Sequence, residues 1–178
     1  MEIILEEIVL RPWIMGDANQ LSVIANNKNI ADNLRDGFPN PYSIDDARKW
    51  LNMILPENSP PRFFAIILDS LLIGSIGLVT KTDIYRKNCE IGYFLDMDYW
   101  GRGIATRAIK AATSYTFRHF DIVRIYAEPF DDNTGSRIAL KKAGFKHEAT
   151  LRKNVVKNGV VKDSCVYSVL KDELPSWG

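Results

Sequence analysis

The stretch "CEIGYFLDMDYWGRGIATRAIKAATSYTF", Cys89 to Phe117, decides how the rest of the chain is read. Cys89 to Leu95 has the apolar and aromatic content of a strand. From about Gly103 to Phe120, Ala105, Ala108, Ile109, Ala112 and Thr116 recur on one face of a helix. Side chains this small let a helix approach a sheet closely. Between the two elements lies Gly101-Arg102-Gly103. A strand, a short loop and a Gly-x-Gly turn opening a helix point the helix's unpaired N–H groups at an anion, and phosphate is the natural guest.

Turn and cap residues place the other elements. A strand at Ile8–Leu10 is stopped by Arg11-Pro12, and a helix starts at Gly16-Asp17, with Asp17 as N-cap, and runs to about Asn27. The loop "RDGFPNPYS" precedes Ser43, which caps a second helix with Asp46 in the capping-box position; that helix should end before Pro56. "ENSPP" reads as a surface loop leading to a strand at Phe63–Leu68, turned by Asp69-Ser70 into a strand at Leu72–Val79. Downstream, Val123–Ala127 is a strand and "DDNTGSRIALKKAGF" a short helix closed by Gly144, with Lys141 and Lys142 at its negative end. "VVKNGVVKD" turns about Asn158-Gly159, a type I′ hairpin signal, and Ser164–Leu170 is the last strand. The order β-α-α-β-β-β-α-β-α-β-β predicts an α/β fold with a mixed sheet and packed helices, in one domain over residues 1–178.

Composition narrows the function. A chain of 178 residues buries a core without disulfides or a structural metal. Lysine and arginine total 23 against 22 acids, scattered along the chain, so nucleic-acid binding has no electrostatic footprint. Cys89 and Cys165 are far apart in apolar stretches, as expected of reduced thiols in a cytoplasmic protein. Glu2, Glu6 and Glu7 stand where a signal peptide needs positive charge, and the run "FFAIILDSLLIGSIGLV" is broken by Asp69-Ser70 and too short to span a membrane. His119 and His147 have no companions at ligand spacing, so no metal is expected.

Three phosphate readers compete for the Gly-Arg-Gly turn. A P-loop needs Gly-Lys-Ser/Thr, and "GRGIAT" has no lysine there. The dinucleotide fingerprint GxGxxG gains from Glu128, an acid at the end of the next strand, but Thr106 replaces its third glycine and "DMDYW" separates strand from turn. The third pattern, Gln/Arg-x-x-Gly-x-Gly/Ala, aligns with Trp100 to Ala105, Trp100 being a departure. Further blocks agree in order: "LRPW", "NLRDGFPNPYSIDDARKWL", "LIGSIGL", "CEIGYFLDMDYWGRGIATRA", "DDNTGSRIALKKAGF" and "TLRKNVVKNGVVKDSCVYSVL". On these blocks the chain resembles the GNAT-type N-acetyltransferases, and among them the RimJ/RimL ribosomal-protein branch, over essentially its whole length.

The resemblance implies a mostly antiparallel sheet of about seven strands with helices on both faces, and a V-shaped splay between the fourth and fifth strands. It implies acetyl-CoA as co-substrate and transfer of its acetyl group to a primary amine, by direct attack in a ternary complex. Gly101 and Gly103 shape the turn, and backbone amides of Arg102, Gly103, Ile104, Ala105 and Thr106 hold the CoA pyrophosphate. Arg102 either assists or is solvated. Backbone groups of Phe94, Leu95, Asp96 and Met97 pair with the pantetheine arm as an added strand would. Asn133 matches an asparagine that contacts the arm, and is equally a preferred N-cap. Ser136 is placed to hydrogen-bond the cofactor sulfur, or to steady the first helical turn. Relatives carry a general-acid tyrosine seven residues after the asparagine. Leu140 stands there, so its role falls to Ser136 or water.

Glu90, an acid in an apolar strand facing the slot, is the candidate general base, or else an edge carboxylate paired with a neighbouring cation. The demand on a base depends on the acceptor: a peptide α-amine, with a pKa of about 8, is partly neutral at physiological pH, whereas a lysine-like amine near about 10.4 is not. Arg35, Phe38 and Tyr42, in the loop between the first two helices, are the expected acceptor contacts. The acceptor is a protein N-terminus or a small amine such as a polyamine, and a homodimer is left open. The alternative from another class is a non-catalytic acyl-CoA-binding module of the same fold, and the remote one a dinucleotide-binding protein.

Overall fold

The computed structural model describes residues 2–57 and 60–174. Its strands are β1 (Ile3–Leu5), β2 (Ile8–Pro12), β3 (Phe63–Leu68), β4 (Leu71–Thr80), β5 (Asn88–Leu95), β6 (Arg124–Ala127), β7 (Lys146–Lys157) and β8 (Val160–Leu170). The helices are α1 (Ala18–Ala25), α2 (Lys28–Ala31), α3 (Ile44–Ile54), α4 (Ile104–His119) and α5 (Thr134–Lys142). The strands form one sheet in the order β1-β2-β3-β4-β5-β6-β8-β7. The β5–β6 ladder is parallel, whereas β1–β2, β2–β3, β3–β4, β6–β8 and β7–β8 are antiparallel.

The chain folds as two compact units, each built from two stretches of sequence, residues 1–77 with 93–108 and residues 78–92 with 109–178. In the first, α1 and α3 pack together over a core of Trp13, Leu21, Ile24, Tyr42, Ala47, Leu51, Ile54, Ala65 and Leu72. Ala47, Leu51 and Ile54 fall at helical spacing, which turns one stripe of α3 inward. Ser43 and Asp46 form the expected capping box, Ser43 Oγ accepting from Asp46 N–H at 3.1 Å and Asp46 Oδ2 from Ser43 N–H at 2.8 Å. Gly74 of β4 is required by a close approach: a Cβ there would lie 2.4 Å from the Phe94 carbonyl oxygen.

In the second unit, α5 packs on β7 and β8, with Leu140, Phe145, Tyr167 and Val169 buried. Asn158 (φ 51°) and Gly159 (φ 75°) make the expected hairpin turn. Phe145 N–H donates to Leu140 O and Gly144 N–H to Lys141 O, a Schellman closure with Gly144 at φ 87°.

Several boundaries differ from expectation. Among the described residues the sheet has eight strands, because Ile3–Leu5 turns through Glu6-Glu7 to pair with β2; three residues carry too little alternation to be read. The strand expected to stop at Leu10 runs on through Arg11 and Pro12, which pair with Ala65 and Phe64; a proline closing a strand forfeits at most one ladder bond. The first helix begins at Ala18 and ends at Ala25, and a one-turn α2 follows, capped by Asn27, whose side chain accepts from Asn29 N–H. Asp17 makes no side-chain cap: its carboxylate takes both Arg11 guanidinium N–H groups, at 2.7 and 2.8 Å, and Ile14 N–H at 3.0 Å. Hydrogen bonding to Asp17 raises the Arg11 pKa against its burial. Val123 lies outside β6, and the last strand starts at Val160 rather than Ser164. Part of the "ENSPP" loop lies outside the described residues.

Candidate active site

The first unit holds the Gly-Arg-Gly turn and the end of β5. Gly101 and Gly103 both have φ +74°, a conformation disfavoured for side-chain-bearing residues, and a Cβ at either would meet nothing within 4 Å. The turn therefore presents bare backbone to open space. The bond that closes the first turn of α4 runs from Arg107 N–H to Gly103 O at 3.2 Å, so the N–H groups of Ile104, Ala105 and Thr106 lie ahead of it at the helix's positive end. This is a fit for a pyrophosphate. The exposed Arg102 carries its guanidinium 5.2 Å from the centre of the Tyr99 ring, within cation–π range.

Asp96 N–H donates to Ile73 O of β4 at 2.8 Å. Strand groups alternate in direction, so Leu95 N–H and C=O turn to the opposite flank. Phe94 lies at the edge of the helical core, where its ring meets that of Phe38. Of the expected acceptor contacts, Arg35 is exposed, Phe38 is half-buried and Tyr42 is 6% exposed. The Tyr42 ring lies tilted against that of Phe38 with centroids 4.9 Å apart, and burial, helped by Asp46, pushes its hydroxyl pKa up to about 12. Tyr42 thus supports Phe38 from within the core.

The second unit holds Glu90, Asn133 and Ser136. The parallel ladder pairs Asn88, Cys89 and Glu90 with Arg124, Ile125 and Tyr126, and its last pair is Glu90↔Tyr126, although β5 continues to Leu95. Allowing for the extra first strand, this is the junction at which a splay was expected. Glu90, with its side chain 14% exposed, accepts from Lys81 Nζ at 2.7 Å and from the Tyr126 hydroxyl at 3.4 Å. Burial opposes the charge on Lys81, but hydrogen bonds to Glu90 and Tyr126 hold its pKa above the usual lysine value. Glu90 is thus paired with a neighbouring cation. Lys81 was missed in the sequence, although a pairing of β4 with β5 brings it opposite Asn88, to whose carbonyl its N–H donates at 3.0 Å.

Asn133 caps α5, its Oδ1 accepting from Ser136 N–H at 3.1 Å, which leaves its amide N–H groups for other work. Leu140 is fully buried and offers no hydroxyl. Glu128, the acid that favoured a dinucleotide, accepts from Ser164 Oγ at 2.7 Å and Asn154 Nδ2 at 2.8 Å. Cys89 and Cys165 are both buried and not disulfide-bonded. No helix among the described residues is long and apolar enough to cross a membrane.

A sequence profile of the acetyltransferase (GNAT) domain matches residues 7–146. The chain belongs to the GNAT acetyltransferase family. The probable N-acetyltransferase YjcK of Bacillus subtilis is 38% identical over 175 residues, 93% of this chain and 95% of that protein. Spermidine N(1)-acetyltransferase of Vibrio cholerae is 26% identical over 88% of this chain and 89% of its own. The solved structure of RimL, a ribosomal L7/L12 alpha-N-protein acetyltransferase in complex with coenzyme A, superposes with a TM-score of 0.86 at 20% identity, covering 97% of this chain and 99% of that one. At that identity the likeness speaks for the fold. This GNAT protein is an acetyl-CoA-dependent N-acetyltransferase.

Proposed function

We propose that this GNAT enzyme acetylates an α-amine, the N-terminus of a peptide or a small molecule carrying the same group. The observation that carries the proposal is the 2.7 Å ion pair between Lys81 and Glu90. With its carboxylate already accepting from Lys81 and Tyr126, Glu90 has less capacity left to take a proton from an acceptor. An amine of pKa about 8, partly neutral at physiological pH, needs that help less than one near about 10.4. The ion pair also leaves that cluster without the surplus negative charge that would attract a polycation.

Acetyl-CoA supplies an acyl group activated as a thioester. The turn at Gly101, Arg102 and Gly103 with the amides of Ile104, Ala105 and Thr106 binds its pyrophosphate, and Phe94, Leu95, Asp96 and Met97 align its pantetheine arm. The amine nitrogen attacks the carbonyl carbon, the C–N bond forms, the C–S bond breaks, and the amine's proton passes to Glu90. Asn133 steadies the arm with its remaining amide N–H groups, and Ser136 or water returns a proton to the thiolate. A thiol with a cysteine-like pKa of about 8.5 leaves tolerably near neutrality, so a leucine at position 140 does not forbid turnover. With Cys89 and Cys165 both buried, transfer is direct. Arg35 and Phe38 contact the acceptor, with Tyr42 behind them.

The test is CoA-thiol release over a panel of acceptors: peptides with free N-termini, N-blocked lysine peptides and spermidine. The free N-terminal peptides should give the highest kcat/KM. Preference for spermidine or for lysine side chains would overturn the α-amine reading, and acetyl-CoA binding without release on any acceptor would favour a binding module.

A further inference from the structure

The segment Asp96–Trp100 joins the strand end to the glycine turn, and three of its backbone N–H groups are tied within it. Asp98 N–H donates to Asp96 Oδ1 at 3.3 Å, Tyr99 N–H to Asp96 O at 3.0 Å, and Trp100 N–H to Met97 O at 3.0 Å. A further tie crosses back to the strand: Trp100 Nε1–H donates to Leu95 O at 2.9 Å. Trp100 is 46% exposed, so hydrophobic burial is a poor explanation for a tryptophan at that position. Its indole N–H is the group that makes a specific contact.

We propose that Trp100 is a positioning residue that fixes the strand end and the Gly101–Gly103 turn relative to each other through its hydrogen bond to the Leu95 carbonyl. The inference rests on the reading that these two backbone segments hold the two halves of CoA. A ligand gripped at two points gains affinity when the spacing of the grips is set beforehand, because binding then orders less chain. Each grip taken alone is indifferent to the spacing. Trp100 therefore contributes to binding of intact CoA and not to binding of either fragment. Because Leu95 C=O faces the flank away from β4, its bond to Trp100 also fixes the plane of the following peptide, whose N–H belongs to Asp96 and is held by Ile73.

The experiment compares wild type with W100F, which keeps an aromatic ring and loses the donor, and W100Q, which restores a side-chain N–H on a smaller body. Calorimetry measures acetyl-CoA affinity, and competition measures S-acetylpantetheine and adenosine 3′-phosphate 5′-diphosphate, which keeps the pyrophosphate. W100F should weaken acetyl-CoA binding roughly three- to tenfold, the equivalent of one neutral hydrogen bond, while each fragment stays within about twofold. W100Q should recover part of the loss. In wild type free of ligand, the Trp100 indole N–H should exchange with solvent slowly by NMR for so exposed a ring. Equal affinity of W100F and wild type for acetyl-CoA, equal losses on the fragments, or an unprotected indole N–H would each overturn the proposal. Failure of wild type to bind acetyl-CoA at all would instead overturn the reading on which it rests, and the proposal with it.

Discussion

The ring of Phe38, in the loop between α2 and α3, meets the ring of Phe94, near the end of β5, edge to face with centroids 5.5 Å apart. The proposed acceptor loop is thereby anchored to the proposed pantetheine strand. Edge-to-face pairs contribute about 0.5–1.5 kcal/mol beyond the area they bury. A double-mutant cycle with F38L and F94L, followed by urea denaturation, should return a coupling energy in that range. In turnover, F38L should raise the acceptor KM severalfold and leave acetyl-CoA affinity within about twofold. A coupling energy near zero would mean that the rings are neighbours without consequence.

Lys81 and Glu90 make two predictions of opposite kind. Because the folded-state pKa of Lys81 is raised, its contribution to stability is fully present below the unfolded value, about 10.4, and is lost as pH rises through the folded value. K81M should therefore have a lower urea midpoint than wild type at pH 7 to 9, and the gap should close as pH rises through the raised folded value. In kinetics, E90Q should flatten the acid limb of kcat/KM for an α-amine acceptor. An unchanged limb in E90Q would remove Glu90 from the proton transfer.

Much of this arrangement was legible in the residues because it depends on local chemistry. Asp69-Ser70 and Asn158-Gly159 both turn with positive φ, Ser43 and Asp46 close their box, and Gly144 ends α5 as a left-handed residue must. What escaped was decided at a distance. Asp17 has the look of a cap, but Arg11, six residues back, takes its carboxylate. Of β7 only the arm beside Asn158-Gly159 was legible; its full extent from Lys146 was not, since nearly all its side chains are exposed and Lys153 sits at φ 54° within a bulged register, so no alternation marks it. Glu90 was legible as an acid in an apolar strand, but its partner Lys81 required the β4–β5 register. Trp100 looked like a departure from a pattern of glutamine or arginine. The bond to Leu95 shows what these residue types share, a side-chain N–H.

Gly74 offers a test of the fold independent of any ligand. An added methyl would fall 2.4 Å from the Phe94 carbonyl oxygen and 2.7 Å from Leu95 Cδ2, so the strand end would have to move. G74A should destabilise the protein by about 1–3 kcal/mol, as overpacking does, and lower the Tm by several degrees. Acetyl-CoA affinity should fall in the folded variant, since the displaced strand is the one proposed to hold the pantetheine arm. Wild-type stability and affinity in G74A would contradict the close approach.

The central claim is that one CoA molecule is held by the backbone of Phe94–Met97 and by that of Gly101–Thr106. An amide-resolved NMR titration with CoA tests it most directly. The largest shift changes and the strongest protection from hydrogen exchange should fall on Leu95, Met97 and the amides of Arg102 to Thr106, saturating together at one equivalent. Saturable binding that leaves those amides unmoved, or moves only one of the two segments, would contradict it.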